Sequence, residues 1–151
     1  MEVVVHRLYL IALVSMAVLL IGCGTPANNV SAPVQDGVLV HITAGPDNPH
    51  RVLMGLQMAV KMSEDKAVAV YLDIDAVNVF VNGAADIELE PFPSAFTQLE
   101  TLAGKNVAVM ACPGCLGVAG ISPDSLMTGV TVADKDRFFD FADGRIVTLD
   151  Y

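Results

Sequence analysis

Read as a succession of apolar and polar positions, the chain falls into three parts. The first is an uncharged apolar run of 14 residues, 8–21, with Arg7 just before it. The second, residues 24–37, is polar and rich in Pro, Asn and Ser, the composition of a flexible tether. In the third, short β-branched runs alternate with stretches of helical period. GVLVHIT (37–43), AVAVYLD (67–73), NVAVMA (106–111), GVTVA (129–133) and RIVTLDY (145–151) read as strands. Between them, residues 50–65 place Val52, Leu53, Leu56, Ala59 and Val60 close to a 3.6-residue period, with Asp47 or Asn48 to cap and Pro49 to open the helix. Residues 94–104 form a second helix, capped by Ser94 and ended by Gly104. Residues 134–144, acidic at the start and ending in Gly, form a third. Residues 74–84 fit either a short helix or an extra short strand.

Strands apolar throughout, alternating with helices, imply a mostly parallel five-stranded sheet in a three-layer, flavodoxin-like α/β domain. The order expected is 2-1-3-4-5. It would set strand 1 beside strand 3 at the topological switch point, where such sheets bind ligands. The loop after strand 1 (residues 44–50) and Cys112, which closes strand 3, would then meet there.

The apolar run is too short to span a bilayer as a helix and has the length of a signal-peptide core. It ends in LLIGC, which resembles a bacterial lipobox. The resemblance implies cleavage before Cys23 and acylation of its thiol. Three regions follow: a lipoprotein signal peptide (1–22), a tether (23–36) and the folded domain (37–151). Gly24 after Cys23 is compatible with outer-membrane sorting on the periplasmic side in a Gram-negative cell. An ordinary signal peptide or a membrane anchor with an incidental Cys is the alternative.

Charge narrows the partners. The chain carries 8 basic and 17 acidic residues, net −9, and removing residues 1–22 leaves that balance unchanged. Such a domain has no electrostatic footprint for nucleic acid and is repelled by anionic headgroups, so the lipid does the anchoring.

Cys112 and Cys115 are left for an exported compartment where disulfides persist. A pair this close in sequence closes too small a loop to be a good staple, which favours a chemical role. In the order Cys-Pro-Gly-Cys, Pro113 suits a first helical turn and Gly114 lets a ligand approach the backbone. Amides at the opening helix would stabilise a Cys112 thiolate, with Cys115 one turn on as a resolving thiol. Two small buried hydrophobes would look the same in sequence. His41, inside strand 1, reads as a core residue. Met54, Met58 and Met62 read as helix packing, and Asp73 and Asp75 as solvated loop carboxylates. No phosphate loop is present, and neither a metal nor another cofactor is expected.

The stretches TAGPDNPHRVLMGLQMAVKM, AVAVYLDIDAVNVF and CPGCLGVAGI together resemble the DsrE/DsrF-like family of sulfur-handling proteins, from about residue 37 to 151. The resemblance implies a flavodoxin-like fold assembled into trimers or hexamers. It also implies that Cys112, with Gly120 eight residues on, is the persulfide-carrying position. The arginines that many members carry before that glycine are absent, since Val118 and Ala119 stand there. His50 and Arg51 are left as the nearby electropositive candidates, and the absence argues against relay to transfer RNA thiolation. The candidate site is therefore catalytic Cys112 and Cys115, with Pro46, His50, Arg51, Pro113, Gly114 and Gly120 around a ligand and Cys23 as the lipidated residue. The function implied is sulfane-sulfur or thiol handling at the envelope, as a sulfurtransferase or thiol redox protein. The rivals are a thiol–disulfide oxidoreductase using the same pair and a non-catalytic binding module in an envelope assembly.

Overall fold

Within the first strand, Val38, Val40 and Ile42 point one way and Leu39 and His41 the other, and this alternation organises everything built on it. The computed structural model describes residues 34–151. Residues 1–33, on which the expected signal peptide, the expected lipidation of Cys23 and most of the expected tether fall, lie outside the described residues. The elements run β1 (Gly37–Ile42), α1 (Pro49–Met62), β2 (Ala67–Leu72), a 3-10 helix (Ile74–Asn78), α2 (Ala95–Gly104), β3 (Ala108–Ala111), α3 (Pro113–Ala119), a 3-10 turn (Pro123–Ser125), β4 (Val130–Val132) and β5 (Ile146–Asp150). Asn48 caps α1, with Pro49 in its first turn, and Ser94 caps α2. The ambiguous stretch after β2 is the 3-10 helix, followed by an isolated antiparallel bridge from Val81 to Leu126.

All four strand pairings are parallel, and the order is β4-β3-β2-β1-β5. The α/β class and the parallel sheet agree with the sequence reading, but the order 2-1-3-4-5 does not. β2 lies between β1 and β3, so no crevice between those two strands exists. From β1 to β4 the chain steps each time to the immediate neighbour. Right-handed crossovers in one direction place their helices on one face. Only the last connection reverses, crossing the other face to pair β5 with the free edge of β1.

The helix-bearing face holds the main core. Leu53, Leu56 and Val52 of α1 and Ala95, Leu99 and Leu102 of α2 pack on Val40, Ile42, Val70, Leu72 and Val109. Gly55 permits the close approach of α1 to β1, because a Cβ there would lie 2.9 Å from the Ile42 side chain. Among the described residues no helix is long and apolar enough to cross a membrane.

The second face is covered more thinly. Leu39, Ala69 and Met110 are sheltered by Phe138 and Phe141 of residues 134–144. This segment is not the helix its sequence suggests but a run of turns. Its backbone bonds span three residues, from Arg137 N to Asp134 O and from Asp140 N to Arg137 O. A three-residue spacing brings Phe138 and Phe141 onto the sheet together, and that contact outweighs α-helical propensity. The domain also begins slightly before Gly37. Asp36 pairs with Arg145 at 2.6 Å, and the Gly144 amide donates to Gln35 O.

Truncating Leu56, which is fully buried, should cost about 2–5 kcal/mol. Val147→Ala, on an exposed edge position, should stay within about 0.5 kcal/mol. Urea denaturation followed by circular dichroism checks the contrast.

Candidate functional site

The alternation that buries Met110 on the second face carries one step past β3. The Cys112 amide donates to Leu72 O at 2.8 Å, so Cys112 is still held by β2 and shares a face with Met110 and Tyr71. Cys112 is also the N-cap of α3. Pro113 stands in the first turn, and the Cys115 amide points at Cys112 Sγ at 3.5 Å. Gly120, at φ 68°, ends α3 in the left-handed conformation that glycine adopts without strain. Gly114 is exposed, and a Cβ there would make only ordinary contact with Cys112 Sγ. Its lack of a side chain thus leaves the approach to the sulfur open.

Both thiols are free and half-buried. Burial pushes the Cys112 thiol up. The Tyr71 hydroxyl, the amides of Cys115 and Gly114 and the Cys115 thiol more than offset this, and its pKa lies below the ordinary value. Cys115 moves the other way. The Ile74 amide pulls it down, but its bond to Cys112, burial and the nearby charges leave it raised. Tyr71 is pushed above the usual phenol range by burial and by Cys112, so it stays a proton donor at neutral pH. The arrangement favours the thiolate at Cys112, solvated by backbone and phenol donors, over that at Cys115 one turn away.

Tyr71 is the residue that sequence reasoning missed. Its ring lies 5.0 Å from Phe138 in an edge-on pair and 5.6 Å from His41. The structure also corrects the reading of His41 and Asp73. His41 is not a core residue: its side chain is 26% exposed on the second face. Its Nδ1 lies 2.8 Å from Asp150 Oδ1, and its Nε2 lies 3.0 Å from Asp73 Oδ2, off the line of a good hydrogen bond. Asp73 is not a solvated loop carboxylate but is held against that ring. Burial pushes the imidazole down, and the two carboxylates more than restore it, to above its ordinary value. Alternation within each segment, which puts Asp73 on the face of Tyr71 and Cys112 on that of Met110, was the available signal. It needed the strand register to become a site.

The other sequence candidates fall apart in space. Pro46 is an exposed turn residue, His50 stacks on Phe92 at 5.6 Å, and Arg51 is exposed on the first turn of α1. No hydrogen bond, ion pair or ring contact joins any of them to either thiol. The segment after β1 approaches the site at Thr43, whose carbonyl accepts from the Asp75 amide at 3.3 Å, and at Gly45, where a Cβ would press on the Asp75 backbone oxygen at 2.9 Å.

Beside Cys115 a groove of about 470 Å³ is lined by Ile74, Asp75, Asn78, Val118 and Ala119. Ile74 has φ 49°, a left-handed conformation that a β-branched residue adopts only under strain, of order 1–3 kcal/mol. That conformation turns its amide toward Cys115. A larger cavity, about 550 Å³, opens at the amino ends of β2 and β3 around Lys66, Lys105 and Arg137, away from the thiols.

Alkylation rate against pH should show a lower midpoint for Cys112, measured in Cys115→Ala, than for Cys115, measured in Cys112→Ala. Tyr71→Phe removes a donor to the thiolate and should move the Cys112 midpoint up toward the reference of about 8.5. An unmoved midpoint would show that the phenol does not solvate the sulfur.

The structure resembles the crystal structure of the ychN protein from E. coli, with TM-score 0.58 and 21% identity over 77% of this chain and 99% of that one. It resembles equally the protein of unknown function MTH1491 from Methanobacterium thermoautotrophicum, with TM-score 0.57 and 20% identity over 78% and 99% of the two chains. At these identities the likeness establishes the fold. No curated protein matches the chain. The model of one family matches residues 36–145, which include the sheet as far as the start of β5, both thiols and Tyr71, and on that match the chain belongs to the DsrE/DsrF-like family.

Proposed function

We propose that this protein carries sulfane sulfur as a persulfide on Cys112, with Cys115 as the neighbouring thiol that receives or releases it. Family membership points to a sulfur-related function in general terms. The observation that supports the finer reading is the Cys112 sulfur itself, at a helix cap with the Cys115 amide 3.5 Å away and the Tyr71 hydroxyl beside it. In the loading step the Cys112 thiolate attacks the outer sulfur of a donor R–S–SH. The new bond is Cys112 Sγ–S, the donor's S–S bond breaks, and the electron pair leaves on R–S⁻. The terminal sulfur keeps its hydrogen, and R–S⁻ takes a proton from solvent. No net oxidation occurs, because the sulfane sulfur changes hands at constant oxidation state.

A second reading has one observation in its favour. Cys115 lies one turn from Cys112 with its amide on the Cys112 sulfur, so the pair could cycle as thiol–disulfide oxidoreductase residues. Mass spectrometry after treatment with polysulfide separates the two. Carriage requires one added sulfur on Cys112, retained in Cys115→Ala and lost in Cys112→Ala. Loss of two hydrogens without added sulfur favours the oxidoreductase. No change on either thiol leaves a non-catalytic binding module.

The same proposal places the protein at the cell envelope, anchored through an acylated Cys23 to the periplasmic side of the outer membrane and assembled as a trimer or hexamer. LLIGC after a signal-length apolar run supports the anchor. Cys23→Ser is expected to disappear from the membrane fraction and, purified from the soluble fraction, to scatter light as a multimer. A processed Cys23→Ser protein that stays with the membrane would remove the anchor. A monomeric mass would remove the assembly.

A further inference from the structure

The cavity at the amino ends of the strands and the groove beside Cys115 differ in their charged lining. Seven basic residues serve the described region. Lys66, Lys105 and Arg137 line the cavity at the amino ends of the strands. Lys61, Lys135 and Arg145 pair with Glu64, Asp136 and Asp36 on the surface, and Arg51 is exposed on α1. None lines the groove beside Cys115, and none bonds either thiol. The groove itself holds no cation. Asp75 is the one charged residue lining the groove, and its carboxylate has no ion-pair partner among the described residues. Nearby, Asp73 and Asp150 flank a single His41, so that cluster is net negative whether or not the imidazole is protonated. The groove walls are apolar: Ile74 is 59% and Val118 93% exposed.

We infer that the thiol site selects its sulfur donor by charge, taking a small aminothiol persulfide or disulfide whose apolar body lies against Ile74 and Val118 and whose ammonium group faces Asp75. This rests on the sulfur-carriage reading and names the substrate class for the same thiols. Anionic donors, such as thiosulfate, polysulfide or an acidic thiol, approach against the field of Asp75 and the Asp73–Asp150 pair. A cationic donor approaches along it. The site here is the thiol pair, and the carboxylates decide what reaches it. The sulfur chemistry is the exchange already described. With a symmetrical disulfide R–S–S–R, the Cys112 thiolate forms Cys112 Sγ–S–R, and the electron pair leaves on R–S⁻.

The test uses the full chain in neutral detergent and three probes of matched length. Cystamine is cationic, bis(2-hydroxyethyl) disulfide neutral and 3,3′-dithiodipropionate anionic. The rate of mixed-disulfide formation on Cys112 is read by mass spectrometry. Each rate is divided by that of a small neutral thiol with the same probe, which removes differences in leaving group. At about 10 mM ionic strength, where screening reaches only over about 30 Å, cystamine should exceed the anionic probe at least tenfold. The ratio should fall toward one at about 0.5 M salt. Asp75→Asn should cut the low-salt ratio about threefold or more, since one charge in the groove lining changes each probe's encounter about twofold in opposite senses. Glu100→Gln removes the same charge from an exposed position on α2 and should change the ratio far less. A low-salt ratio near one, an anionic preference, or equal effects of the two substitutions would overturn the inference. If polysulfide still loads Cys112 in that case, sulfur carriage stands and charge selection falls. If neither the disulfides nor polysulfide modify Cys112, both fall together.

Discussion

The hydrogen bond from the Cys112 amide to the Leu72 carbonyl, 2.8 Å, is the contact on which the site depends. It extends the pairing of β3 with β2 one residue beyond the strand. The two-residue alternation of the sheet therefore still governs where Cys112 points. One residue later Pro113 opens α3, and the helix amides take over the sulfur. A thiol at this junction is oriented by a sheet on one side and solvated by a helix on the other. Neither element alone would deliver both the Tyr71 hydroxyl and the Cys115 amide to it.

What surrounds that junction follows from the layering. Both long helices pack on one face, so the large apolar side chains of β1 and β2 are spent there, on Val40, Ile42, Val70 and Leu72. Among the described residues the other face is sheltered by the turns of residues 134–144, with Tyr71 against Phe138. Tyr71, His41, Asp73 and Cys112 remain half-buried on that face. Half-burial suits the proposed exchange. It strengthens the phenol and amide contacts to the sulfur by lowering the local dielectric, while solvent still receives protons and leaving groups. The strained backbone at Ile74 belongs to the same economy, since a left-handed residue there turns an amide toward Cys115. Against the upward push of burial, Cys112 is pulled down first by the Tyr71 hydroxyl and then by the Cys115 amide and thiol, while the bond to Cys112 helps leave Cys115 raised despite the Ile74 amide, and the asymmetry needs no cation nearby.

Much was legible in the sequence, for local reasons. Apolar β-branched runs and a 3.6-residue period are set by neighbours a few positions away, so the five strands and helices α1 and α2 can be read directly. The caps Asn48 and Ser94 and the terminating Gly120 are local hydrogen-bond and dihedral devices. Cys-Pro-Gly-Cys after a strand already implied a thiol at a helix start. The helix expected at 134–144 failed because Phe138 and Phe141 answer to the sheet, not to their own segment.

Strand order was decided only in three dimensions. Which edge of β1 receives β5 depends on pairing across more than a hundred residues, and apolar strands carry no mark of their partners. The expected crevice between β1 and β3 vanished with that order, and the loop residues Pro46, His50 and Arg51 went with it. Register supplied what took their place. Alternation within each strand pairs Tyr71 with Asp73 and Met110 with Cys112, but these positions share a face with His41 only because β2 lies between β1 and β3 with Tyr71 opposite both His41 and Met110. The sequence by itself determined that a thiol pair would stand where a strand meets a helix, because those signals are local. Only the tertiary structure decided which phenol, imidazole and carboxylates would stand around it, because these are brought in by hydrogen bonds between strands distant in the chain.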